Sequence, residues 1–460
     1  MKKKNLRFYF TIITVKIATA LMKLVGKNAT HLPGWIANKM CPNFISYMEK
    51  PDKLVFITGT NGKTTVSNLV ADVLKSYNYE FINNSTGSNI RDGIVSALLT
   101  KTSFLGKNKS KLAVLEVDER YAPKIYPYLP PDFLVCTNLF RDSYRRNAHS
   151  EFIFNILNSQ IPETTKLILN GEDLISSRLA SDNPRCHFGI NFIDTKASSD
   201  NIIKDIIACP HCGALLSFDY IRYNHIGRGH CTNCDFGSPD LDYSIDHIDY
   251  DKGTCLVSTP SGNADFKLLG DNITDAYNMI AAISCLMEMG LSLQDIKKSF
   301  DNIKVVSSRF NQEIIGNKKI IRNLAKGQNP IACSRVCDFI RHQEGNKAVI
   351  LILDDIYDAK ESSENDAWIY DVDFEFLNND DIKQIICSGV RNKDFQLRLL
   401  MAGIPKEKIK CCEKEIDSAS FIDYDEVDTI CIMHDIHAGG MAKTIVDNIA
   451  KALDKENVAQ

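Results

Sequence analysis

Leu54-Val-Phe-Ile-Thr-Gly-Thr-Asn-Gly-Lys-Thr-Thr65 decides how this chain is read. It opens as a run of branched and aromatic residues, the pattern of a buried strand. It breaks at Gly59-Thr60-Asn61-Gly62-Lys63 and resumes as Val66-Ser-Asn-Leu-Val-Ala-Asp-Val-Leu74, with apolar residues at helical spacing. Strand, glycine turn, Lys-Thr and helix together form a phosphate cradle. Glycines let backbone N–H groups approach an anion, the helix N-terminus adds partial positive charge, Lys63 neutralises phosphate, and a hydroxyl reaches magnesium. The expected ligand is a nucleoside triphosphate, with an ordinary turn as the competing reading. The spacing is short: only Thr60 and Asn61 separate Gly59 from Gly62, where the general signature has four residues.

Outward from this loop, residues 53–302 alternate strands and helices as a parallel α/β sheet does. Strands are expected at Lys53–Thr58, Lys111–Val117, Asp132–Thr137 and Lys166–Leu169. Several end in polar residues, where ligands of open α/β sheets collect. Leu115-Glu-Val-Asp-Glu119 is the acidic counterpart of the loop, and Glu116, Asp118 and Glu119 are candidates to hold a hard cation; a solvated strand end is the alternative. Thr137-Asn-Leu-Phe-Arg-Asp142 is expected to aim Asn138, Arg141 and Asp142 at the same cleft, and Leu169-Asn-Gly-Glu-Asp173 repeats the pattern. Asn83–Asn89 is either a polar substrate loop or a plain one. A hairpin is expected between Ser244 and Ser258, then helices over 276–289 and 291–303. After a boundary near 303–308 a second α/β pattern begins, with strands at 319–322, 348–353, 383–387 and 429–433 and helices at 332–341, 393–402 and 441–453. The expected domains are 1–48, a basic helical segment; 49–303, the nucleotide domain; and 304–460.

Cys209-Pro-His-Cys212 and Cys231-Thr-Asn-Cys234 are two Cys-x-x-Cys knuckles with eighteen residues between them. Four thiolates so spaced form a closed tetrahedral site for structural zinc, within an insertion at about 205–240. Unligated thiols are the alternative, and a complete cysteine set leaves His211 and His230 outside the ligands. The remaining cysteines, Cys136, Cys285, Cys333, Cys387 and Cys431 among them, sit in apolar segments and read as small core residues. Fifteen cysteines without an export signal point to a reducing cytosol. The net charge of −4 is uninformative, but its distribution is not. Up to Met48 the chain carries Lys2, Lys3, Lys4, Arg7, Lys16, Lys23, Lys27 and Lys39 and no acidic residue. That segment reads as a cationic amphipathic helix, either packed on the domain behind it or docked on the inner face of an anionic membrane.

Two strand ends in the last domain carry polar clusters. Leu353-Asp-Asp-Ile-Tyr-Asp358 brings Asp354, Asp355 and Asp358 together, and Met433-His-Asp-Ile-His-Ala438 places His434 and His437 three apart. Solvated groups are the ordinary reading of both; a second metal site at the histidines is the sharper one.

The loop Thr58–Thr64, the Glu116 strand, Thr137-Asn138 and the helix with Tyr277-Asn278-Met-Ile-Ala-Ala282 together resemble the ATP-binding central domain of Mur ligases. The cysteine knuckles, Pro239-Asp-Leu-Asp-Tyr243, Ala367-Trp-Ile-Tyr-Asp-Val-Asp-Phe-Glu375 and Ser388-Gly-Val-Arg391 narrow the similarity to the MurT family, synthetase subunits of the enzyme that amidates peptidoglycan precursors. The resemblance implies an α/β fold: a Mur-ligase-like P-loop central domain with an inserted four-cysteine zinc ribbon, then a Rossmann-like C-terminal domain. It implies that the D-glutamate α-carboxylate of a lipid-linked muropeptide is activated by ATP as an acyl phosphate, which ammonia from a partner class I glutaminase converts to D-isoglutamine. It assigns ATP to Gly59, Thr60, Asn61, Gly62, Lys63, Thr64, Thr65, Asn138, Asn278 and Arg309, and magnesium to Thr64 and Glu116. It also implies that the C-terminal domain lends the glutaminase an aspartate. The family segment reads Tyr-Ala-Asp-Gly, but here Tyr357 precedes Asp358-Ala359-Lys360, so the lent carboxylate falls to Asp358, with Asp355 and Asp354 as alternatives. Ser143 to Arg145 and Asp275 also depart from the Mur pattern of His and Asp, and of Asn. Two rivals remain: a ligase adding an amino acid to a muropeptide or folate, and a zinc-ribbon binding protein with a vestigial ATP site. Neither knuckle region is markedly basic, which argues against nucleic acid as a partner.

Overall fold

The computed structural model describes residues 2–24, 26, 30–85, 88–141, 149–191, 199–270, 272–303, 310–325, 328–353 and 366–459. They form two compact units: Met1–Arg141, His149–Ser199 and Asp205–Val305 in the first, and Asp200–Lys204 with Val306–Gln460 in the second. Residues 200–204 join the second unit through Asp373, whose carboxylate accepts the Asn201 side-chain amide at 2.7 Å and the Ile202 N–H at 2.5 Å.

The first unit opens with α1 (Leu6–Leu24) and α2 (Leu32–Met40). Then come β1 (Lys53–Thr58), α3 (Lys63–Ser76), β2 (Phe81–Asn83), α4 (Arg91–Thr100), β3 (Leu112–Glu116), the single turn α5 (Ala122–Ile125), β4 (Phe133–Cys136), α6 (Ser150–Asn158), β5 (Lys166–Asn170) and β6 (Arg185–Ile190). The inserted hairpin β7 (Leu216–Tyr223) and β8 (Ile226–Cys231) follows, and β9 (Tyr243–Asp249), β10 (Thr254–Thr259), β11 (Gly262–Lys267), α7 (Ile273–Glu288) and α8 (Leu293–Asn302) complete the unit. Nine strands make one sheet in the order β11-β10-β9-β6-β5-β4-β1-β3-β2. Strands β2 to β6 and β9 with β1 run parallel, and β9-β10-β11 is an antiparallel extension. The chain leaves β1 toward β3 and β2, then returns to β4 on its other side, so the strand order reverses at β1 and a crevice is expected beyond its C-terminal end.

β1 is buried on both faces from Leu54 to Thr58, as its unbroken apolar run requires. The inner face of α1, through Phe8, Ile12 and Val15, enters the same buried cluster as Leu54 and Phe56, and so do Cys209, Cys231 and Phe236 of the ribbon. The packing reading of the basic segment therefore describes one side of α1. Cys136 and Cys285 are buried, as are Cys333, Cys387 and Cys431 in the second unit.

The second unit contains β12 (Phe310–Ile315), β13 (Lys318–Leu324), α9 (Pro330–Arg341), β14 (Lys347–Ile352), β15 (Ile382–Ser388), α10 (Asn392–Met401), β16 (Ile409–Cys412), β17 (Thr429–His434) and α11 (Gly439–Ala459). Its sheet order is β12-β13-β17-β14-β15-β16, parallel except for β12. Apolar clusters cover both faces. The sequence expectations contain no strand at β2, β6, β7, β8, β11, β12 or β16.

Candidate functional site

The loop after β1 is held from the neighbouring strand end. The Thr60 N–H donates to the Asn138 carbonyl at 2.9 Å. The Asn138 side chain accepts the Asn61 N–H at 3.0 Å and donates to the Asn61 carbonyl at 3.1 Å, and the Thr137 hydroxyl donates to that carbonyl at 2.6 Å. The Thr60 hydroxyl accepts the Phe140 N–H at 2.9 Å. Gly59 and Gly62 have φ of +123° and +90°, conformations in which a side chain is strained. A Cβ on Gly59 would stand 2.2 Å from Thr137 Oγ1, and one on Gly62 would stand 2.2 Å from Asn278 Oδ1. The two glycines are thus required both by backbone and by space, and Asn278, buried on α7, lies against the loop.

Lys63 begins α3 and turns its ammonium back onto the Gly59 carbonyl and the Glu119 carboxylate, the latter at 3.0 Å. The same carboxylate oxygen accepts the Gly59 N–H at 2.7 Å. Glu119 thereby takes a backbone N–H and the ammonium together, the pair of donors that a phosphate oxygen would use. Burial pulls Lys63 down, but the carboxylates of Glu119, Asp118 and Glu116 outweigh it and leave the ammonium above its ordinary range. Burial lifts Glu119, with Lys63 offsetting only part of the rise.

Thr64 and Glu116, the residues expected to hold a cation, are brought together. The Thr64 hydroxyl donates to Glu116 Oε2 at 2.8 Å, close to the roughly 2.9 Å between adjacent oxygens of an octahedral magnesium site. Glu116 is aimed by the loop that follows β2. Asn84 bonds both its backbone N–H and its carbonyl at 2.9 Å, and the Asn89 amide donates to Glu116 Oε1 at 2.9 Å. Asn84 therefore pins the Glu116 backbone and Asn89 its carboxylate. Thr65 lies on α3 behind Thr64. Arg309, Asp354, Asp355, Asp358, Asp142 and Ser143–Arg145 lie outside the described residues. Asp275 bonds the Asn272 amide at 2.5 Å, at the start of α7.

The four knuckle sulfurs converge: all lie within 4.8 Å of one another, with Cys209–Cys234 at 3.5 Å and Cys212–Cys231 at 3.4 Å. Thiolates about 2.3 Å from a tetrahedral zinc are about 3.8 Å apart, so the set fits that ion. The N–H groups of His211 and Asn233 point at Cys209 Sγ and Cys231 Sγ, 3.4 and 3.3 Å away. The backbone N–H of Ala214, then Cys231, pull the Cys212 thiol down to about 6, while at Cys234 the Phe236 N–H lowers the thiol but burial and the bonds with Cys209, Cys231 and Cys212 outweigh it and push it up to about 12. Among the described residues this is the one such cluster, and none forms around His434 and His437.

Two sequence expectations are corrected. Arg141 turns from the cleft to Asp205, donating from Nε at 2.6 Å and from its backbone at 3.0 Å. Glu172 and Asp173 do not line the cleft either; they anchor the ribbon. Glu172 accepts Tyr220 Oη at 2.8 Å, Arg222 Nε at 3.1 Å and the Ile190 N–H at 2.5 Å. Asp173 accepts the Leu139 N–H at 2.7 Å and lies 3.1 Å from Nε2 of His225, a fully buried residue at the tip of the β7–β8 hairpin. Burial raises the Asp173 carboxyl, but its bonds with His225, Ser176 and Ile175 more than reverse that, leaving it below the usual range. The His225 ring packs on Phe140 at 4.6 Å. Ribbon tip, strand-end loop and phosphate loop are therefore one connected set. No local pattern announces it, because His225 and Asp173 are 52 residues apart.

A model of the Mur ligase middle domain matches residues 57–286, and one described as MurT ligase C-terminal matches 326–436. The lipid II isoglutaminyl synthase (glutamine-hydrolyzing) subunit MurT of Staphylococcus aureus is 35% identical over 87% of this chain and 89% of its own length. The subunit of the same name from Streptococcus pneumoniae is 29% identical over 88% and 89%. Among solved structures, a pseudomurein peptide ligase type C from Methanothermus fervidus shares the fold at a TM-score of 0.61 and 20% identity, covering 87% of this chain and 79% of that one. MurF ligase from Thermotoga maritima, solved with ADP, does so at 0.56 and 14% identity, covering 92% and 85%. By the extent and identity of its match to the two bacterial subunits, the chain belongs to the MurT family.

Proposed function

We propose that this chain is the ATP-dependent ligase subunit of a lipid II isoglutaminyl synthase, converting the D-glutamate α-carboxylate of a lipid-linked peptidoglycan precursor to its amide. The carrying observation is the joining, at the β1 switch point, of the Gly59–Lys63 cradle to the Thr64–Glu116 pair, in a chain of the MurT family. A carboxylate is inert to ammonia until it acquires a leaving group. Its oxygen attacks the γ-phosphorus of ATP, forming a C–O–P bond as ADP departs. Ammonia then forms the C–N bond, the C–O bond to phosphate breaks, phosphate leaves, and nitrogen loses a proton. Lys63 offers a buried cation to the transferring phosphoryl group, and Gly59, Thr60, Asn61 and Gly62 hold the triphosphate with Asn138 fixing the loop. Thr64 and Glu116 are the holders of magnesium, which supplies charge neutralisation when bound. Asn278 and Arg309 are the further nucleotide contacts, and Cys209, Cys212, Cys231 and Cys234 hold zinc.

A class I glutaminase supplies the ammonia, and Asp358, with Asp355 and Asp354 as alternatives, is the carboxylate lent to it. The test mixes purified chain, Mg·ATP and muropeptide with ammonium or with glutamine plus the glutaminase subunit, reading ADP release and the mass of the product. Ammonium alone should support slow ATP-dependent amidation, and glutamine should work only with the partner. Asp358→Asn should abolish the glutamine reaction and spare the ammonium reaction. Amidation without ATP, or ATP-driven addition of a free amino acid without a partner, would overturn the reading.

A further inference from the structure

Helix α1 presents two different faces. Phe8, Thr11, Ile12 and Val15 point inward, and Phe8 stacks on Phe44 at 4.9 Å between ring centres. Leu6, Phe10, Ile13, Ile17, Leu21 and Leu24 recur at intervals of three and four and all face out, from 45% exposed at Ile13 to 89% at Leu6. This stripe runs the length of a 19-residue helix, about 28 Å. The hydroxyls of Thr11, Thr14 and Thr19 are turned back on the carbonyls four residues earlier, at 2.7, 3.0 and 2.8 Å, so they ask little of solvent. No residue after Val15 in the helix is buried. Beside it, Phe104 and Leu105 are exposed at the tip of a loop whose Gly106 abuts Phe8, and the Lys16 ammonium sits over the Phe104 ring at 5.3 Å.

An exposed stripe of this length marks a surface that something covers. The charge around it says what: the first 48 residues carry eight Lys and Arg and no Asp or Glu. No described helix is long and apolar enough to cross a membrane. An apolar stripe bordered by lysines, on a helix fixed to a folded domain by its opposite face, has the pattern of a helix lying in the interface plane of an anionic bilayer. We propose that α1 docks this chain on an anionic lipid surface, with Leu6, Phe10, Ile13, Ile17, Leu21 and Leu24 in the apolar layer and Lys16 and Lys23 of the same helix at the headgroups, while Lys4 is paired with Glu49 at 2.6 Å. The inference is independent of which carboxylate the enzyme amidates.

The test is co-flotation of the full chain with vesicles of equal phosphatidylglycerol and phosphatidylcholine, and with phosphatidylcholine alone. Wild type should float with the anionic vesicles, and 0.5 M salt should weaken the association, as expected for screened charges. Ile17→Glu/Leu21→Glu lies on the outer half of the helix, where the fold does not use these side chains, so thermal unfolding should be unchanged while vesicle partition falls at least about tenfold. Absence of wild-type flotation, or equal flotation of the variant, would overturn the proposal. So would a variant that alters only self-association or co-elution with the glutaminase subunit, because the stripe would then be covered by protein.

Discussion

Gly62→Ala tests the geometry of the phosphate loop most directly. At φ +90° an alanine sits in the left-handed region, at a cost of about 1–2 kcal/mol. Its Cβ would also meet Asn278 Oδ1 at 2.2 Å, where an ordinary contact begins near 3.4 Å, so the amide must retreat by more than 1 Å. Asn278 is buried, and stranding its amide costs about 1–3 kcal/mol more. If the loop regains its shape only on binding, the sum of about 2–5 kcal/mol appears as weaker Mg·ATP affinity, at least about thirtyfold. Calorimetric titration of Gly62→Ala, Asn278→Ala and the double variant separates the two contributions, with circular dichroism confirming the fold. Removing the Asn278 amide leaves only the backbone cost, so the double variant should bind about tenfold better than the product of the single effects implies. Affinity for Gly62→Ala within about threefold of wild type, or singles that simply add, would refute the reasoning.

Thr64→Ala and Glu116→Gln should each lower ATP-dependent turnover by about 10²-fold or more at saturating ATP while leaving magnesium-free ATP binding near wild type, measured by single-turnover assay and titration. Chelation or Cys212→Ser should release one zinc per chain, read by a colorimetric metal assay, and lower the melting temperature. Asp173→Ala should leave His225 and the Leu139 N–H without their buried partner at a cost of about 3–5 kcal/mol, seen as a fall in melting temperature. Because the folded value of Asp173 lies below its ordinary 3.8, its contribution to stability is present above pH 3.8 and is lost as pH falls through the folded value; the wild type's lead over Asp173→Ala should shrink in that acid range.

What the sequence disclosed was local. The run from Leu54 to Leu74 carries its own strand, turn and helix signals, and the cysteine pairs carry their own ligand spacing, so each could be read without a partner. The second α/β unit was visible because Ala348–Ile352 and Thr429–Met433 are continuous apolar strands. β11 was not: Gly-Asn-Ala-Asp-Phe-Lys leaves one buried side chain in six residues, too little for an alternation signal. β16 spans four residues at a sheet edge and was hidden by its brevity. At the site, Glu116 was legible as an acidic strand end facing a lysine loop. The roles of Asn84, Asn89, Glu119 and His225 depend on partners 27 to 60 residues distant, which periodicity does not report.

The hairpin tip has a consequence for anyone who would graft or excise the cysteine insertion. A crossover cut at its visible ends, 209 and 234, would take away His225 and Arg222 and leave the carboxylates of Glu172 and Asp173 behind in a dry interior. The transplantable module is larger than the metal knuckle and discontinuous in sequence: residues 139–141, 172–173 and 205 have to travel with it. Recombination that ignores these scattered positions should yield chains that still bind metal at the knuckle yet fail to order the ends of β5 and β6 beneath it.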